Sequence, residues 1–119
     1  MQIYLIIYIF QLIDVIAYNK IDVILKSIRS IQNQSLKNIE IIIVDDCSTD
    51  KSNETYKYLL ETDKRIRIFT HLKNMGAWRS RLDAFLYSNA PYVIHFDAGD
   101  FYADNLCYKI FIILFLIII

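Results

Sequence analysis

The sequence predicts an open, doubly wound α/β sheet, mostly parallel, with elements in the order β-α-β-α-β-α-β. Three observations carry that reading. Apolar runs of strand length alternate with segments whose apolar residues recur at helical spacing. Residues 40–45 (EIIIVD) form a nearly unbroken β-branched run, the pattern of a strand covered on both faces. No repeat or low-complexity linker breaks the alternation, and Pro91 is the single proline.

Residues 12–18 read as the first strand. Ile24, Ile28 and Ile31 then share one helical face, which predicts an amphipathic helix over 22–34. The strand at 40–45 follows. Tyr56, Leu59 and Leu60 mark a second helix, with Asp50 or Ser52 as its cap, although Tyr56, Lys57 and Tyr58 look like ordinary helix surface. Residues 65–70 (RIRIFT) alternate at period two and predict a half-covered strand. Trp78, Leu82, Phe85 and Leu86 lie along one face of a third helix over 77–88, expected as a core stripe. The fourth strand is 92–96 (YVIHF), with His95 expected as a satisfied core histidine; His71 is expected in a loop or at a strand end. Strands separated by crossover helices pair in parallel, and such sheets bind ligands at the carboxyl ends of their strands.

Size and composition narrow the function classes. A chain of 119 residues fits one domain. Its hydrophobic share of 55% supports a packed core rather than disorder. Thirteen basic residues balance thirteen acidic ones, which argues against a nucleic-acid partner, since those proteins concentrate positive charge. Cys47 and Cys107 have no metal-ligand spacing and read as free thiols of a reducing compartment. We expect an apolar leader at 1–11, the α/β domain at 12–105 and an apolar tail at 106–119. No basic residue precedes the first apolar run, so a secretory signal is not expected. The last ten residues are all apolar, half of the about 20 that a spanning helix needs. They read as core exposed by truncation, with the first half of a membrane helix as the alternative. Expected locations are the cytoplasm or the cytoplasmic face of a membrane.

Three predicted strand ends share one rim. The first ends in Tyr18-Asn19, the second in Asp45-Asp46-Cys47-Ser48, the fourth in Asp97-Ala98-Gly99-Asp100. Four carboxylates on one rim repel each other unless a cation or hydrogen-bond donors meet them. A hard divalent ion held by Asp oxygens and a diphosphate satisfies that need. No GxGxxG follows the first strand, which disfavours a dinucleotide site.

With these blocks in place, the chain resembles the family 2 glycosyltransferases. Tyr18-Asn19 leads to Ser30, Ile31 and Gln34; then come NIEIIIVDDCSTD at 38–50, Asn74-x-Gly76 with Arg81, and FDAGD at 96–100 in the place of the DxD motif. The resemblance implies a Rossmann-like A-type fold that binds a nucleoside-diphosphate sugar of UDP type. It implies that Asp46 accepts from the uracil ring nitrogen, that Asp45 holds the adjacent turn, and that Tyr18 lines the base pocket. Arg81 would sit near the nucleotide, Asp97 would face ribose and metal, and Asp97 with Asp100 would hold Mn²⁺ or Mg²⁺. The implied reaction is inverting transfer to a sugar or glycan acceptor of unknown identity, with membrane association left open for a longer protein. No catalytic base is assigned, because Asp104, the one carboxylate after Asp100, lies too close to the metal motif. The alternative is an inactive nucleotide-binding fragment or degenerate copy. Three positions depart from the family pattern: Ile16 stands in place of the usual proline near the end of the first strand, Gly99 replaces a carboxylate, and Cys47 stands where glycine is common, at a cost if the backbone there needs a positive φ.

Overall fold

A computed structural model of the chain describes residues 11–90 and 92–104. All of the expected leader but Gln11, the whole of the expected tail and Cys107 lie outside them. The order is β1 (Gln11–Ala17), α1 (Ile21–Gln32), β2 (Ile39–Asp45), α2 (Asn53–Thr62), β3 (Ile66–Thr70), α3 (Ala77–Tyr87) and β4 (Tyr92–Asp97). All pairings are parallel and the strand order is β3-β2-β1-β4. The chain therefore steps outward from β1 through β2 to β3, then α3 carries it back to the far side of β1. That reversal falls between β1 and β4, and open α/β sheets take their ligands beside such a reversal, at the carboxyl ends of the strands.

Alternation along the strands builds two apolar layers. Ile13, Val15 and Ala17 of β1 face α1 and α2, packing with Ile24, Ile28, Ile31, Tyr56 and Leu59. Leu12 and Ile16 face the other way, with Ile42, Val44 and Ala84 of α3. Helices on both faces explain why every residue of β2 is buried and why its sequence is continuous rather than alternating.

Three expectations change. The apolar stripe of α3 does not face the core. Trp78, Phe85 and Leu86 are exposed, and the helix buries Ser80, Asp83 and Ala84 instead. Both sets recur at helical spacing. The small set wins because Ser80 and Ala84 let the helix backbone approach the sheet, and because Asp83 finds polar partners there. Tyr56 is not surface: its ring is buried and its hydroxyl donates to Asp45 Oδ1 at 2.6 Å. His95 is not in the core. Its side chain is exposed, and its Nδ1 lies 2.6 Å from Asp14 Oδ2, a carboxylate buried in mid-strand whose pKa burial pushes up.

The N-cap position of α2 falls on one of the two expected residues. Ser52 occupies the N-cap position, but its hydroxyl donates to Asp50 rather than to the helix. Asp50 Oδ2 accepts from Ile21 N at 2.8 Å and so caps the first turn of α1, across from its own loop. No helix among the described residues is long and apolar enough to cross a membrane.

Candidate nucleotide site at the strand ends

Strand pairing continues past the strands and sets the site. Asp46 N donates to Ala17 O at 2.8 Å on one side of β1, and Ala98 N donates to Ile16 O at 3.0 Å on the other. The chain segments carrying Asp45-Asp46 and Asp97–Asp100 thus flank the end of β1. At the usual spacing of about 5 Å between strands, they stand roughly 10 Å apart.

The β1 and β2 ends are fastened to each other. Asn19 N donates to Ser48 Oγ, and Asn19 Oδ1 accepts from Thr49 N at 2.8 Å. Asn19 and Cys47 both adopt positive φ, 51° and 66°. Asn tolerates that region; Cys is strained in it. Asp45 secures the turn by accepting from Ser48 N, Ser48 Oγ and Tyr56 Oη. Tyr18, about half exposed, stands at the open rim beside this turn.

Asp46 is 3% exposed and fully engaged with the next loop. Its Oδ1 accepts from Met75 N at 2.7 Å and lies 2.8 Å from His71 Nδ1; its Oδ2 accepts from Gly76 N at 2.9 Å. Burial opposes its charge, but the Met75 amide, His71 and the Gly76 amide together hold its pKa below the usual carboxylate value. A carboxylate has about four lone-pair positions, so one on Oδ2 stays open to a ligand N–H. Gly76 can turn its amide inward because it takes φ 87°, a conformation strained for any side chain.

The β4 end is different. Asp97 and Asp100 are exposed on one turn, closed by Asp100 N donating to Asp97 O at 2.9 Å. Gly99, at φ 109°, sits between them and donates its amide to Ser27 Oγ. Arg81 reaches over from α3 and donates from Nη2 to Asp97 Oδ1 at 2.7 Å. Its Nε is buried and has no partner. Arg81 thus joins Asp97, and Asp97 joins Asp100, while Asp46 touches none of the three by hydrogen bond. Among the described residues, no three His, Cys, Asp or Glu side chains cluster tightly enough to hold a metal unaided.

His71 and Asp83 were not singled out as site residues from sequence. His71 Nε2 lies 2.8 Å from Asp83 Oδ2, so the imidazole joins β2, β3 and α3. The signal was present: His71 directly follows β3, on the same rim that drew attention to Asp46.

Comparison with known proteins agrees with this geometry. The family model described as "Glycosyl transferase family 2" matches residues 13–112. An uncharacterised glycosyltransferase of Haemophilus influenzae is 36% identical over 80 residues, 67% of this chain and 32% of that protein. A putative teichuronic acid biosynthesis glycosyltransferase of Bacillus subtilis, TuaG, is 35% identical over 71% of this chain and 33% of its own length. Among solved structures, the mannosyltransferase PcManGT of Pyrobaculum calidifontis, in complex with GDP-Man and Mn²⁺, superposes with a TM-score of 0.77 at 19% identity, covering 82% of this chain and 30% of that one. S. aureus TarS 1-349 in complex with UDP gives 0.74 at 22% identity, covering 86% of this chain and 30% of that one. The chain therefore spans about a third of the length of these proteins.

Proposed function

We infer that this chain, which belongs to glycosyl transferase family 2, binds a nucleoside-diphosphate sugar of UDP type at the carboxyl rim of its sheet. The observation that carries the reading is the pairing of both acidic segments onto the end of β1, by Asp46 N and Ala98 N. It brings a buried acceptor to one side of the β1 end and exposed carboxylates to the other. The open lone pair of Asp46 suits the ring N–H of a uracil-type base, and Tyr18 offers an aromatic wall beside it. Arg81, its side chain 34% exposed, supplies a fixed planar cation beside Asp97 that suits phosphate oxygens.

A divalent cation fits the donors at the β4 end. Two exposed carboxylates on one turn are too few for an all-protein cage but suit Mg²⁺ or Mn²⁺, which keep waters and take phosphate oxygens as further ligands. Asp97, through the oxygen not given to Arg81, and Asp100 would hold it. When bound, such an ion neutralises charge on the departing diphosphate. Sugar transfer with inversion, onto an acceptor hydroxyl, is proposed for a protein of the relatives' length.

Calorimetry tests the reading. UDP should bind the chain, and Mn²⁺ should tighten it. Asp100→Ala should leave weak UDP binding and erase the effect of the metal. Absence of heat with both UDP and GDP, in either metal, would sink the proposal.

A further inference from the structure

His71 is held in an arrangement that a neutral ring cannot satisfy. Both of its nitrogens face carboxylate oxygens at 2.8 Å, Asp46 Oδ1 and Asp83 Oδ2. Ionised carboxylates only accept, so both ring nitrogens must carry hydrogen, which makes the ring an imidazolium. Every element packed against it is accounted for in this way: Asp46 from the β2 end, Asp83 from α3, and Arg79, whose Nε donates to Asp83 Oδ1 at 2.9 Å and fixes that carboxylate from behind. The His71 backbone also donates to Asp45 O at 2.9 Å, so the ring cannot drift from the β2 end.

We propose that the His71 imidazolium is a positioning residue of the nucleotide site, orienting Asp46 so that its open lone pair meets the base, and that nucleotide affinity falls as this ring loses its proton. The inference rests on the reading of Asp46 given above. His71 touches no ligand in this account; it acts through Asp46 and through the loop carrying Met75 and Gly76, whose amides bind the same carboxylate.

Charge balance agrees with the geometry. Burial disfavours the charged ring, but Asp46 and Asp83 outweigh it and raise the pKa above the ordinary 6.5. A raised histidine contributes stability that is fully present below about 6.5 and lost as pH rises through the higher folded value. Loss of the proton removes one of the two hydrogen bonds, and a neutral ring can donate to only one carboxylate. Asp46 or Asp83 is then buried with one donor fewer.

The test is UDP affinity, measured by calorimetry with Mg²⁺ from about pH 6 to pH 9, for the wild-type chain, His71→Gln and Asp83→Asn. The terminal phosphate of UDP ionises near pH 6 in all three experiments, so the differences between proteins are the readout. Wild type should lose roughly tenfold more affinity across the window than His71→Gln, within the usual range of coupling between two linked groups. His71→Gln, a neutral donor, should bind more weakly at low pH and then track only the nucleotide's own titration. Asp83→Asn should keep the fall but move its midpoint to lower pH, because one of the two charges holding the proton is gone. Thermal melts establish that each variant folds, and Asp83→Asn decides the matter if His71→Gln does not. Parallel profiles for wild type and His71→Gln, or an unmoved midpoint in Asp83→Asn, overturn the inference while leaving the site intact. A wild-type chain that binds no UDP at any pH overturns the site and the inference together.

Discussion

The two acidic strand ends that flank β1 are built in opposite ways. At the β2 end, Asp45 and Asp46 are each 3% exposed and held by several protein donors, some from more than twenty residues away. At the β4 end, the Asp97 side chain is 57% exposed and Asp100 lies in the open, with one arginine for company. Both ends carry the same residue type on the same rim. On the proposed function, the difference suits a row of carboxylates to two purposes. Those neutralised by the protein itself are fixed before any ligand arrives, as a directional acceptor should be. Those left exposed keep their charge for a partner the fold does not supply, and a hydrated cation with a phosphate is such a partner.

Mutations should separate the two ends by stability. The largest effect is expected for Asp46→Ala, which strands the Met75 and Gly76 amides and the charged His71 in a buried site. The cost should be about 3 kcal/mol, the scale of breaking a buried ion pair, and is measurable as a lowered midpoint in urea. A loss under about 0.5 kcal/mol would mean that the β2 end is no more organised than the β4 end. Next, Cys47→Gly should stabilise the chain by about 0.5 kcal/mol. It relieves a left-handed residue at φ 66° and gives back part of the gain as unfolded-state entropy. Destabilisation instead would show that the Cys47 Sγ contact to Leu72 O, at 3.5 Å, matters more than the backbone strain. Asp100→Ala should sit at the bottom of the scale, within about 0.5 kcal/mol of wild type, since it removes a solvated carboxylate. Its effect belongs to metal-assisted binding alone.

Much of this was legible in the sequence, and the exceptions share a cause. Period and length placed six elements within two residues of the observed bounds and marked the seventh, α2, by its apolar residues, because a strand covered on both faces must be continuously apolar and a helix lying on a sheet must repeat every three to four residues. The acidic rim followed from strand order alone. What pattern could not show was which of two helical stripes turns inward. On α3 the choice falls on Ser80, Asp83 and Ala84, decided by close approach and by His71, twelve residues upstream of Asp83. Nor could it show that His95 lies outside the core and leans on Asp14, 81 positions away. The paired polar groups are long-range partners, and a single sequence carries no trace of who meets whom. Cys47 lies between these cases: its place in the turn was readable, and the positive φ that makes it costly there is what the structure shows.

The central claim is that both acidic ends serve one ligand, and paramagnetic broadening tests it most directly. In a ¹⁵N-labelled chain, Mn²⁺ with UDP should broaden the amides of Asp97–Asp100 most, then those of Tyr18 and Asn19, while UDP with Mg²⁺ shifts Met75 and Gly76 beside Asp46. The remote end of the sheet, around Ile39 and Ile66, should be untouched. Broadening scattered over surface carboxylates such as Asp22, Glu54 and Glu61, with Met75 and Gly76 unmoved by the nucleotide, would contradict the account.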